Sequence, residues 1–127
     1  MTVETVRAEG APPAVGPYSH AAKLDGVLYI SGCLALDETG TFLGGDAAAQ
    51  AKQALSNLGT VLGSQGLGPA DVAKAVVFLT DMADFAAVNA VYAEFFGDHK
   101  PARSCIAVAA LPLGAVVEIE AVAGPVA

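Results

Sequence analysis

One guanidinium and two carboxylates stand in the last quarter of this chain, where almost everything else is apolar. Arg103 lies in Pro101-Ala102-Arg103-Ser104-Cys105, and Glu118 and Glu120 lie in Val117-Glu118-Ile119-Glu120-Ala121. No charged residue occurs from Ser104 to Val117, so Arg103 and Glu118 mark the two ends of what reads as a buried strand, turn, strand. Desolvating an unpaired ion costs several kcal/mol, and charges in such a place need a partner or a task. Strand periodicity puts Arg103, Cys105 and Ala107 on one face, and Glu118 and Glu120 on one face of the next strand. Whether those faces coincide depends on register. If they do, a guanidinium fork able to hold a carboxylate in two hydrogen bonds faces a carboxylate able to position water. The competing reading is an Arg-Glu pair that neutralises itself at a subunit interface.

The remaining reactive side chains are more ambiguous. Cys105 is a candidate nucleophile, but no His is near it in sequence and a thiol in an apolar strand is usually inert. Cys33 and Cys105 show no CxxC spacing and no paired His, which argues against a zinc site or redox motif. Both read as reduced core thiols, and no metal is expected. His20 and His99 read as exposed singletons. Tyr18, after Gly16-Pro17, could present its hydroxyl from a stiff loop, although most such tyrosines pack. Asn89 reads as a surface amide.

The elements that must position these groups follow from pattern. Thr2 to Arg7 alternates enough for an edge strand, and Ala8 to Tyr18, with Pro12, Pro13 and Pro17, is an extended loop. Ala21 to Leu24 and Val27 to Ser31 flank Asp25-Gly26, a strong hairpin signal, and Thr39 to Gly45 is turn or loop. Asp46 caps a helix with the stripe Ala47, Ala51, Ala54, Leu55, Leu58, Val61 and Leu62, closed by Gly63 or Gly66. Its other face carries Gln50, Lys52, Gln53 and Ser56. Val72 to Thr80 is β-branched and apolar, which predicts a central strand covered on both faces. Asp84 caps a second helix with Phe85, Val88, Tyr92 and Phe95 on one side, ending at Gly97. Strands Arg103 to Ala109 and Val116 to Ala123, joined through Pro112 and Gly114, complete the order. The fold class is α+β, a sandwich of a six-stranded sheet with two helices on one face. The second face, with Val76, Phe78, Ile106 and Val108, is expected to pack against copies of the chain.

Bulk properties narrow the partners. A chain of 127 residues with 54% apolar residues and mean hydropathy +0.56 fits one domain spanning 1–127 whose surface is partly covered by other subunits. A net charge of -7 and only six scattered basic residues argue against nucleic acid as a partner. Nothing near Met1 reads as a signal peptide and no run reads as a membrane span, so a cytoplasmic, soluble protein is expected, with no membrane partner.

Five blocks in order resemble the Rid family, also called the YjgF or L-PSP family, over essentially the whole chain. They are Ala14-Val15-Gly16-Pro17-Tyr18, Tyr29-Ile30-Ser31-Gly32, the run from Gln50 to Leu58, the run from Val88 to Phe96, and the closing signature from Pro101 through Leu111-Pro112 to Ala121. The resemblance implies a chorismate-mutase-like fold, a homotrimer, and active sites in clefts between subunits. It implies hydrolysis of enamine and imine acids, such as 2-aminoacrylate and its imine tautomer, to 2-oxo acids and ammonia, without a cofactor. By the same resemblance Arg103 grips the substrate carboxylate and Glu118 holds and activates water. The Cys105 main chain contacts the substrate, and Tyr18, Ser31, Gly32 and Asn89 complete the pocket. Cys33 stands where the family commonly has Gln, which bears on substrate preference. The segment Leu113 to Val117 also lacks the charges often found there.

Two other functions compete with that one. A ribonuclease or translation inhibitor fits the family's older name but not the acidic balance. A non-catalytic binder of small 2-oxo acids would use the same arginine. Chorismate mutase is a fold-level analogy, and against chorismate's two carboxylates the chain has only Arg7 and Arg103 as arginines.

Overall fold

The computed structural model describes residues 2–127. Its elements run β1 (Glu4–Val6), β2 (Ala21–Leu24), β3 (Val27–Cys33), α1 (Ala47–Ser64), β4 (Val72–Leu79), α2 (Phe85–Phe96), β5 (Ala102–Ala107) and β6 (Val117–Ala123). The strands form one six-stranded sheet in the order β1-β2-β3-β6-β4-β5. Every pair is antiparallel except β4 with β5. That parallel pair needs a crossover, and α2 is the crossover. Asp25 and Gly26 both take positive φ, 54° and 80°, the geometry of the two-residue turn that sets the β2–β3 hairpin.

One face of the sheet carries the core. Leu28 and Ile30 of β3, Ala75, Val77 and Leu79 of β4, and Val117, Ile119 and Ala121 of β6 are buried in one cluster with both helices. From α1 this cluster takes Leu55, Leu58 and Leu62, each at most 1% exposed, and each such burial contributes about 1.5–3 kcal/mol. Asp46 caps α1 by accepting from the Ala49 N–H at 2.8 Å. Its end comes at Gly66, whose φ of 73° suits a left-handed cap, while Gly63 lies inside the helix. Among the described residues no helix is long and apolar enough to cross a membrane.

Several local expectations need correction. The segment around Arg103 and Glu118 is not a strand, turn, strand unit, because β4 lies between β5 and β6. The apolar run between them is instead a crossing loop that turns at Pro112–Gly114, where Leu113 and Gly114 take positive φ, 61° and 73°. β4 is central but alternates in burial, and only its helix-facing side is covered. The cap before α2 is Asp81, which accepts from the Ala83 N–H at 2.9 Å and starts a short helical turn, Met82–Asp84. Asp84 caps nothing with its side chain.

Gln50, placed by its spacing on the polar face of α1, is only 3% exposed. Its Nε2 donates to the Gly45 carbonyl at 2.8 Å and its Oε1 accepts from the Val116 N–H at 2.9 Å. Asn57, also buried, donates to the Leu34 and Leu36 carbonyls at 3.0 and 2.9 Å. These amides satisfy backbone groups of loops that would otherwise be buried without partners, a loss worth about 1–3 kcal/mol each. They pin α1 to the start of β6 and to the segment after β3. Glu118 and the end of β3 are therefore held from below.

Candidate functional site

Arg103 and Glu118 stand on opposite faces of the sheet. Both of their strands pair with β4, so register decides what periodicity leaves open. Ala75 is beside Arg103 on one side and Ala121 on the other, whereas Phe78 is beside Ile106 and Glu118. Ala75 and Phe78 are three apart in one strand, and successive side chains alternate faces. Arg103 and Cys105 thus lie on the helix-covered side, and Glu118 and Glu120 on the bare side. The predicted site residues fall into two groups.

The first group is built on a bulge. Between the pairs Ile30–Ala121 and Cys33–Ile119, β3 carries one residue more than β6, and Ser31-Gly32 holds the excess. A Cβ on Gly32 would stand 2.8 Å from Glu118 Cδ and 3.1 Å from its Cγ, so the glycine is what lets the Glu118 side chain lie over the bulge. Ser31 donates its hydroxyl proton to the Ser19 carbonyl at 2.7 Å, tying the proline-rich loop to β3. His20 secures the same loop and is half-buried, contrary to the exposed reading. Its Nδ1 accepts from the Ala8 N–H at 2.8 Å, so its Nε2 carries the proton and donates to the Pro12 carbonyl at 2.7 Å. His99 is likewise half-buried, its Nε2 2.7 Å from the Val72 carbonyl.

Tyr18 stands out from that loop, 39% exposed, its hydroxyl oxygen accepting from the Val15 N–H at 3.3 Å. With Val15, Leu34 and Pro112, the side chains of Tyr18, Ser31 and Glu118 and the Gly32 backbone line a hollow of about 170 Å³. Partial desolvation, and then the Glu120 charge on the same face, hold the Glu118 carboxyl above its ordinary range. Burial, with a further push from Glu118, raises the Cys33 thiol to about 12. It stays protonated at neutral pH, which removes it as a nucleophile.

The second group is built on α2. Arg103 Nη1 donates to Asn89 Oδ1 at 2.7 Å. Its guanidinium carbon lies 4.8 Å from the centre of the Tyr92 ring and 5.6 Å from that of Phe85. Asn89 is therefore a partner of the arginine rather than a free surface amide. Cys105 follows on the same face, its thiol raised by desolvation and partly lowered again by Arg103. Asn89, Tyr92, Lys100 and Arg103 border a hollow of about 300 Å³. Among the described residues no three His, Cys, Asp or Glu are grouped to hold a metal ion.

The chain as a whole is similar to known proteins. Residues 8–124 match the family described as endoribonuclease L-PSP. The chain belongs to that family. It is 48% identical over 126 residues to a RutC family protein of Synechocystis, covering 97% of each chain. To a protein of Capra hircus named 2-iminobutanoate/2-iminopropanoate deaminase it is 48% identical over 114 residues, covering 89% of this chain and 83% of the other. The crystal structure of the YjgF gene product from E. coli superposes with a TM-score of 0.89 at 41% identity, covering 95% of this chain and 98% of that one. The Rid-family resemblance and the α+β fold it implies are borne out.

Within this Rid-family fold, sequence reasoning missed the part played by Phe85 and Tyr92. Their spacing fits the one-sided apolar stripe of α2, which by itself indicates only a packed face. The signal available was Asn89, which sits between them at helical spacing and carries a polar group onto a face otherwise apolar. Nothing in the pattern pointed to the bulge, because Ser31-Gly32 reads equally well as the end of a strand.

Proposed function

We propose that this protein hydrolyses small 2-imino acids to 2-oxo acids and ammonia, as a homotrimer whose active sites lie between copies. The observation that carries the reading is the separation of Arg103 and Glu118 by the sheet. An anion-binding fork and a water-positioning carboxylate of one chain cannot meet, but Arg103 on the edge strand β5 of one copy can face the Tyr18–Glu118 hollow of the next. The bare face supports assembly, since it offers Tyr29 and Ile106, 48% and 47% exposed, beside half-buried Val76, Phe78 and Val122. The deaminase name of the goat relative supports the reaction.

The chemistry needs few groups. An iminium carbon is already electrophilic, so orientation, charge and one general base suffice. Arg103 holds the substrate carboxylate through its fork, the Cys105 main chain contacts the bound acid, and Gly32 lines the hollow beside Glu118. Glu118 takes a proton from water as its oxygen bonds to C2, giving a carbinolamine. That proton, passed to the nitrogen, makes it a leaving group. As the C–N bond breaks, the carbinolamine hydroxyl closes to C=O and gives its own proton through Glu118 to the departing ammonia, so iminium and water become 2-oxo acid and ammonium with no redox change. Tyr18 keeps its hydroxyl proton free for the substrate side of the hollow. Asn89 serves through Arg103, and Ser31 through the Tyr18 loop.

The test is the rate of 2-oxo acid formation from serine or threonine with a pyridoxal-phosphate-dependent dehydratase, with and without this protein, together with its mass by light scattering. Acceleration by a trimer is expected. A monomer at micromolar concentration would remove the shared site, and tight 2-oxo acid binding without acceleration would make the protein a binder. Salt-dependent RNA binding, expected to be absent, separates the ribonuclease reading.

Gly32→Ala probes the bulge. The clash is with the free end of a flexible side chain, so thermal stability should change little. The displaced Glu118 carboxylate should lower kcat by about tenfold or more, a partial loss of general-base catalysis. Unchanged kcat would show that the position of Glu118 over the bulge does not matter.

A further inference from the structure

We infer that Tyr92 and Phe85, with Asn89 between them, form an orienting clamp for Arg103 in which aromatic rings, and no opposite charge, aim the guanidinium fork at its anion. The inference rests on the anion-binding role proposed for Arg103 and explains how that role is prepared.

A half-buried guanidinium ordinarily finds a carboxylate. Arg103 has none, for the one ion pair among the described residues joins Lys23 and Glu4 at 3.6 Å. Its hydrogen-bond partner is the neutral Asn89 amide at 2.7 Å, and both rings lie within the ~6 Å over which a ring face attracts a cation. An aspartate in place of a ring would neutralise the charge and occupy the fork, and so compete with the substrate carboxylate. A ring does neither. It holds the plane of the guanidinium while most of its five N–H donors stay open.

Placement supports the same conclusion. Phe85, Asn89 and Tyr92 are spaced by four and three along α2, on one face of a regular helix. Arg103 projects from β5, a sheet edge in which its own neighbours Ala102 and Ser104 are exposed and hold nothing in place. The Tyr92 hydroxyl is buried yet has no partner among protein atoms. The ring is therefore what this position uses, and Phe is a clean substitute that breaks no protein hydrogen bond. The alternative is that both rings merely pack, as Tyr92 does against Phe96 at 4.6 Å.

The test compares Tyr92→Leu, Phe85→Leu and Tyr92→Phe, each first checked for thermal unfolding and assembly mass. One readout is the Arg103 Nε–H resonance in the nitrogen-15 NMR spectrum of the ligand-free protein, assigned by its loss in Arg103→Ala. The other is KM and kcat for a 2-imino acid. The two Leu variants should move the resonance toward its position in a free arginine and raise KM by about tenfold with kcat nearly unchanged, the pattern of lost ground-state binding. Tyr92→Phe should rescue both readouts. Folded Leu variants that keep the wild-type resonance and KM would overturn the clamp, as would a Phe variant as impaired as Leu. If Tyr92→Leu does not fold, Phe85→Leu at its half-buried position decides alone. A wild-type protein with a ring-shifted resonance and no imine hydrolysis would sink the proposed function and leave the clamp standing.

Discussion

Arg103→Lys is expected to lose imine hydrolysis almost as completely as Arg103→Ala. Lysine keeps the charge, so a substrate held by charge alone would survive the exchange. The surroundings of Arg103 are shaped for a plane instead, with two ring faces at 4.8 and 5.6 Å and an amide oxygen at 2.7 Å from one terminal nitrogen. An ammonium cannot present two parallel donors to a carboxylate, and it lacks the delocalised planar face with which a guanidinium can meet a ring. The expected loss is about 2–5 kcal/mol, or roughly thirty-fold to several thousand-fold in kcat/KM. Stability should fall by about 1–3 kcal/mol, because the Asn89 hydrogen bond and the ring contacts are lost although no ion pair is broken. The measurement is kcat/KM for both variants beside thermal unfolding and light scattering. Near-normal turnover in either folded variant would mean that the anchor lies elsewhere.

How far the sequence could be read depended on the range of the interaction. Asp25-Gly26, the α1 stripe and the Asp46 cap are local, each set by residues within a turn of one another, and each appears where its pattern predicts. The relation of Arg103 to Glu118 is not local. Their strands are consecutive in the chain, and nothing in either strand tells that β4, some thirty residues earlier, inserts between them. That insertion fixes the register and sends the two groups to opposite faces, which is why the proposed function draws on more than one copy of the chain. Gln50 and Asn57 escaped for a related reason. Their partners are the carbonyls of Gly45, Leu34 and Leu36 and the N–H of Val116, groups that no side-chain pattern displays. Family resemblance supplied the grouping of Tyr18, Ser31 and Gly32 that periodicity could not, and the hollow beside Glu118 contains all three.

The two carboxylates of β6 share a face, so only a substitution can rank them, and the structure sharpens the expectation. Glu118 lies over the Gly32 bulge and borders the hollow with Tyr18, whereas Glu120 stands opposite Val76 on the bare face offered for assembly. Glu118→Gln keeps shape and hydrogen bonding but cannot take a proton, and should lower kcat by about 10²–10⁴ while the assembly persists. Glu120→Gln should act on assembly or stability and leave most of the turnover. Acidity offers an independent check. Glu118 is raised from 4.5 by desolvation and then by the Glu120 charge, so the acid limb of the kcat/KM profile should lie above 4.5 and vanish in Glu118→Gln. Glu120→Gln removes the second of those causes and should move the limb downward. The sign for stability follows from proton binding: the folded state holds the Glu118 proton to higher pH than the unfolded chain. Glu118 therefore makes stability fall as pH rises from 4.5 through the raised value, and Glu118→Gln should flatten that slope. A Glu120→Gln protein that assembles normally but has lost turnover, beside an active Glu118→Gln, would give the base's role to Glu120.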